Sequence, residues 1–169
     1  VGWFQIHRIE GEWHINVIDE IIHEKNIKTD ELINKIKAKN YPVRAYYGDP
    51  AGMQAQGQSG LGDIEIFKRN GIHVRSIRDK TSRNIASGIS HVRGYIENAN
   101  NNRYLHLDNK CMGLAEDLEN YRYPEAVENK DLKPDPLKDG RHDHGCDMLR
   151  YFFINQFPIK RNKLIMRNR

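Results

Sequence analysis

The sequence predicts an α/β domain in which a mixed β-sheet is flanked by helices, and three observations predict it. Two runs rich in β-branched and aromatic residues open the chain across a short turn, helix-like and strand-like segments then alternate, and a long amphipathic helix closes the order. The 169 residues suffice for one sizeable core. Hydrophobic residues make up only 38% and the mean hydropathy is −0.80, yet two Trp, eight Tyr and five Phe exclude a disordered polyampholyte.

Val1 to Ile9 and Trp13 to Ile22 read as an antiparallel hairpin about Glu10-Gly11-Glu12. Thr29 is placed to cap a helix over Asp30 to Lys39, with Leu32, Ile33 and Ile36 on one face, acids first and lysines last. Asn40-Tyr41-Pro42 ends it, and Val43 to Tyr47 is a short strand running into Gly48-Asp49-Pro50. Four Gly and three Gln between Ala51 and Gly62 predict a solvent-facing loop. Asp63 to Asn70 reads as a helix closed by Gly71, and His73 to Ile77 as a strand. Ser82 to Asn98 carries Ile85, Ile89, Val92 and Ile96 at helical spacing, then come a strand near Arg103 to Leu107 and a helix from Lys110 to Tyr121. Three Pro and many charges make Tyr123 to Gly140 an exposed connection. His142 to Phe157 is the closing helix, with Leu149, Phe153 and Phe157 as its apolar stripe and Pro158 as its stop.

The formal charge is +4, but it is unevenly placed. After Asn155 come Lys160, Arg161, Lys163, Arg167 and Arg169 with no acid; without them 22 basic residues face 23 acidic ones. The tail is a solvated terminus or a polyanion contact. Lys68, Arg69, Arg75, Arg78, Lys80 and Arg83 surround the single acid Asp79, a pattern that grips phosphates or serves as a charged loop. No apolar run approaches the ~20 residues of a membrane span. Cys111 and Cys146 cannot make a disulfide framework and read as reduced thiols of a cytoplasmic protein. The chain starts at Val-Gly-Trp-Phe without an initiating Met or a signal-peptide pattern, so it is expected to be a fragment.

Two places invite chemistry. Asp49 stands at the carboxyl end of a predicted strand, where open α/β sheets bind ligands, although Asp also opens Pro turns. Arg141-His142-Asp143-His144-Gly145-Cys146-Asp147 starts the last helix; there Asp143 and His144 share the face of Asp147. A helix start favours acids in any case, but it does not account for the histidines. His142, His144 and Cys146 spread around the helix and lack a second cluster, which argues against structural zinc. Carboxylate oxygens suit Mg²⁺ or Mn²⁺, and one or two such ions could activate water for attack on phosphorus.

Together, the opening hairpin, Tyr47-Gly48-Asp49-Pro50-Ala51-Gly52, Gly71-Ile72-His73-Val74, Tyr121-Arg122-Tyr123-Pro124 and above all Asp143-His144-Gly145-Cys146-Asp147-Met148-Leu149-Arg150-Tyr151 resemble one family. It is the C-terminal nuclease domain of the large terminase subunit of tailed bacteriophages. The resemblance implies an RNase H-like mixed β-sheet flanked by helices on both faces over residues 1–158, with a basic tail over 159–169. It implies a divalent-metal-dependent endonuclease that cuts concatemeric double-stranded viral DNA during packaging. Asp49, Asp147 and His144 would be catalytic, Asp49 and Asp147 would hold Mg²⁺ or Mn²⁺, and Asp143 would be a further ligand or lie beside one. DNA contacts would come from Lys68, Arg69, Arg75, Arg78, Lys80, Arg83, Lys160, Arg161 and Lys163.

Implied partners are double-stranded DNA, the ATPase motor of the same polypeptide, the portal protein and the small terminase subunit, all in the cytoplasm of the infected host. The chain contains no Gly-x-x-x-x-Gly-Lys-Ser/Thr run, so ATP hydrolysis is not assigned to it. The family places another acid on a strand ahead of Val1, and Asp19 is a poor substitute; Asp49 and Asp147 alone are expected to bind metal weakly. Asp147→Ala is expected to abolish nicking while leaving stability nearly intact. A junction resolvase or transposase, or a non-catalytic DNA-docking module, remains an open alternative at this level.

Overall fold

The computed structural model describes residues 1–49, 62–76, 84–124 and 135–158. The opening runs form β1 (Gly2–Ile9) and β2 (Glu12–Glu20), paired antiparallel with Ile9 opposite Glu12. The two residues between them, Glu10 at φ 51° and Gly11 at φ 91°, are both left-handed, as the twist of a two-residue hairpin requires. Near the open end the register slips between Trp3 and Phe4, a bulge that sets Trp3 against Asp19 and Phe4 against Val17. Alternation along β2 buries Ile15, Val17 and Asp19.

On its other edge β2 pairs in parallel with β5 (Leu105–Leu107), giving a mixed ladder ordered β1-β2-β5. A second, parallel ladder joins β3 (Tyr46–Tyr47) to β4 (Val74–Arg75), with α2 (Asp63–Arg69) crossing between them. Gly71, at φ 82°, turns the chain out of α2 as predicted. Both strands are shorter than their sequences suggest. β-propensity marks residues that suit a sheet, whereas a strand lasts only as long as its partner. Here the pairing runs one step further through Gly48, whose N–H donates to the Arg75 carbonyl at 3.0 Å.

The predicted cap of the first helix is also corrected. α1 (Thr29–Ala38) begins after Lys28 without a side-chain cap, because the Thr29 hydroxyl donates to Asp63 Oδ1 at 2.7 Å and ties α1 to α2. α3 (Ile85–Ile96) starts after Asn84, whose side chain accepts the Ser87 N–H at 2.8 Å. α4 (Met112–Asn120) has its cap supplied from β2: the Glu20 carboxylate accepts the Gly113 and Leu114 N–H groups at 2.7 and 2.9 Å.

α5 (Asp143–Gln156) is the spine of the molecule, packing against α3, α4 and β3. It buries Leu149 and Phe153 as its apolar spacing predicts, against Ile15, Val17, Val92 and Leu114. Phe157 is only half-buried, while Phe152 is buried and stacks on Phe4 at 3.9 Å between ring centres. Two glycines permit the close helix approaches. A Cβ at Gly88 would lie 2.6 Å from Arg150 Cγ, and one at Gly145 would collide with the Asp117 carboxylate. Cys111 and Cys146 are free, buried thiols, as the sequence suggests.

Candidate functional site

Asp49 follows β3 directly, at its carboxyl end, and Asp147 lies in the second turn of α5. Tyr151, one turn beyond Asp147, interacts through its hydroxyl with both Arg150 and Asp49. Burial pushes the Tyr151 phenol up, the Arg150 cation opposes this, and the Asp49 charge adds to it. Arg150 completes the connection, donating from Nη2 and Nε to Asp147 Oδ1 at 2.7 and 3.2 Å. The strand-end acid and the helix acid are therefore linked through Tyr151 and Arg150.

The Arg150 side chain is almost wholly buried, with its guanidinium 4.5 Å from the Tyr151 ring centre. Burial opposes its charge, but Asp147 and then Tyr151 outweigh that together and raise its pKa. Lys138 Nζ approaches the other Asp147 oxygen at 3.5 Å. Nearby, Cys146 is pushed up to about 12 by burial and by Asp117, Asp147 and Asp143 together. Tyr121 rises to about 12 through burial and then Asp147. The start of α5 is thus a region of negative potential whose carboxylates draw cations to themselves.

Asp143 and His144 diverge more than their spacing predicts. Asp143 is buried and its Oδ1 has no hydrogen-bond partner, whereas His144 is exposed. A buried carboxylate oxygen without a donor, one turn from Asp147, suits an oxygen-seeking cation such as Mg²⁺ or Mn²⁺. No three His, Cys, Asp or Glu among the described residues already form a cage for an ion. Asp19 belongs elsewhere, buried at the end of β2 and held by Lys39 Nζ at 2.8 Å and Tyr41 OH at 3.0 Å. Burial alone would raise its pKa, but hydrogen bonds from Lys39, the Glu20 N–H and Tyr41 lower it overall.

Of the phosphate-gripping candidates, Lys68 and Arg69 are exposed on α2, 3.9 and 3.6 Å from Glu65, and Arg75 is exposed on β4. Arg78, Lys80, Arg83, Lys160, Arg161 and Lys163 lie outside the described residues. Arg150 and Tyr151 stand in the same sequence motif, which by itself gives them no role. The signal for Arg150 was its i,i+3 spacing from Asp147.

No protein-family model matches the sequence, and no curated protein matches it. The nuclease domain of g2p, the large terminase of bacteriophage SPP1, solved with bound Mn, is similar in structure. The match has a TM-score of 0.62 at 16% identity and covers 92% of this chain and 78% of that one. With its mixed ladder, its β-α-β crossover and the long helix behind them, this chain has the RNase H-like fold of a large-terminase nuclease domain.

Proposed function

We propose that this chain is a metal-dependent endonuclease domain of a viral genome-packaging terminase that cuts concatemeric double-stranded DNA. The observation that carries the reading is the placement of Asp49 and Asp147 about one Tyr151–Arg150 link, in a chain with this fold. SPP1 g2p was solved with bound Mn, which agrees with the oxygen-only donor set here. Asp49 and Asp147 would hold the ion, with Asp143 as a further ligand. When bound, Mg²⁺ or Mn²⁺ supplies Lewis-acid activation of water and charge stabilisation at the phosphodiester.

The chain's own groups set that site up. Arg150 fixes the rotamer of Asp147, and Tyr151 orients Asp49. His144 is exposed on the same turn of α5, where it can move a proton or orient a ligand. Lys68, Arg69 and Arg75, exposed on α2 and β4, would make phosphate contacts that carry no sequence information. The portal protein, the small terminase subunit and an ATPase motor in the same polypeptide would be its partners in the host cytoplasm.

The test is nicking of supercoiled plasmid by the intact protein with Mn²⁺, Mg²⁺ or chelator. Cleavage should require the ion and should fall at least ~100-fold in Asp49→Asn and Asp147→Asn. Cleavage that survives both substitutions would remove these residues from the mechanism.

A further inference from the structure

The far end of α5 adjoins a cleft that the nuclease reading does not use. Phe157 stands ten residues past Asp147, about 15 Å along a helix. Beside it a cleft of about 690 Å³ opens between the tip of the β1–β2 hairpin, α3 and the residue that precedes β5. Trp13, Tyr95 and Tyr104 give it aromatic walls. The Tyr95 and Tyr104 rings lie 6.3 Å apart at 71°, and the Tyr104 N–H donates to the Tyr95 carbonyl at 2.8 Å, which fixes that corner. Trp13 and Tyr95 both pack on Phe157, at 6.0 and 5.5 Å between ring centres. The core therefore holds these rings in place before anything binds.

The polar groups of the cleft are rich in acceptors. Glu12, exposed at the start of β2, is its one charged residue, and neither Lys nor Arg lines it. The Glu12 charge reaches inward, adding to burial in raising the Tyr95 phenol. His91 bonds to the Phe157 carbonyl, while burial lowers its pKa and favours the neutral ring. Its Nε2 is buried without a partner, and a proton held on the other nitrogen by that carbonyl leaves Nε2 as a lone pair. The exposed Ser87 and Ser90 hydroxyls of α3 complete the lining. Aromatic faces, a carboxylate and an unmet acceptor together call for a flat, cationic, donor-rich group. Trp13 already takes one such group: the Arg8 guanidinium, which does not itself line the cleft, lies 5.5 Å from its ring centre.

We propose that this cleft binds an arginine side chain presented by a partner polypeptide. A guanidinium is planar and carries its N–H donors in a fixed fork, so it can lie against an aromatic wall while its edge reaches Glu12 on β2 and the hydroxyls of α3. A lysine ammonium is a compact point charge and matches flat walls less well. Size favours a residue within a chain over a free ion, because about 690 Å³ takes the side-chain stem and flanking backbone as well as the head group. Glu12 repels phosphate, so the cleft suits protein and not the DNA backbone. Its distance from Asp147 lets a partner bind without touching the carboxylates there, and the inference does not rest on the nuclease reading.

The experiment is an NMR titration of the intact protein with a capped Gly-Arg-Gly tripeptide, following the Trp13 indole N–H. That signal should shift saturably, while the indole of Trp3, buried against Tyr41, stays fixed as the internal control. Tripeptides with lysine or neutral citrulline in place of arginine should bind at least about threefold more weakly. Glu12→Gln should weaken binding of the arginine peptide by about fivefold. Gly94→Leu should abolish it: Gly94 lines the cleft and a Cβ there meets nothing within 4 Å, so the new side chain takes up the space while suiting the helix. Absence of a saturable shift at Trp13, equal binding of the three peptides, or unchanged binding in both variants would each overturn the proposal. A chain ended at Pro158 tests the basic tail as the source of the arginine. A gain of more than about tenfold in peptide affinity on that truncation would overturn the assignment to a partner. Neither DNA nor metal enters the measurement, so its failure and that of the nuclease reading are told apart.

Discussion

Asp147 is surrounded by cations from its own chain, and this changes what its removal should do. Its Oδ1 is the acceptor for a guanidinium that is buried between α3 and α5, where Gly88 leaves room for the Arg150 stem. Truncation to Ala takes the anion away and leaves Arg150 buried without a charge partner, so the expectation of nearly intact stability does not follow from this geometry. Asp147→Ala should cost about 1–3 kcal/mol in urea unfolding, at the low end of buried pairs because Asp147 is partly exposed. Asp147→Asn keeps an acceptor for Arg150 and should cost less than half as much, which makes it the cleaner probe of activity. Equal losses in the two variants would show that Arg150 does not depend on this contact. The two acids were legible in the sequence because a strand end and a helix start are places where carboxylates meet ligands. The role of Arg150 was not, since whether an i,i+3 pair is buried depends on the helix packed over it.

Elements show the same division. The hairpin, the order of strands and helices and the apolar stripe of α5 follow from periodicity and turn residues, so the sequence pattern reaches them directly. Contacts between elements escape it. Thr29 has the chemistry of a cap but bonds Asp63 instead, and α4 is capped by Glu20 from a strand more than ninety residues earlier. The hairpin turn offers a local test. Glu10 adopts φ 51° beside Gly11 at φ 91°, a left-handed pair in which Asn at the first position is less strained than Glu. Among the described residues no side-chain hydrogen bond or ion pair holds Glu10, which is exposed. Glu10→Asn should therefore stabilise the domain by about 0.5–1 kcal/mol, read as a higher Tm with cleavage unchanged. A lower Tm would mean that the turn does not keep this conformation in solution.

At the scale of the molecule, charge is divided between tasks. Acids collect at the start of α5, where together with burial they raise the Cys146 thiol and where Asp147 holds Arg150, while among the described residues Lys68, Arg69 and Arg75 stand exposed on α2 and β4. Without the tail the chain carries 22 basic and 23 acidic residues and has almost no net attraction for a polyanion, so the five basic residues of the tail decide the sign for the whole chain. If they contact phosphates, each releases counterions, and the salt dependence of binding counts them. Deleting residues 159–169 should weaken binding to a non-specific duplex and reduce the slope of log affinity against log salt by up to about 4–5. The fold and the Asp147 pairing with Arg150 should be untouched, so Mn²⁺-dependent nicking at low salt should persist at saturating DNA. An unchanged slope would reassign the tail to solvation, leaving Lys68, Arg69 and Arg75 as the proposed DNA contacts among the described residues.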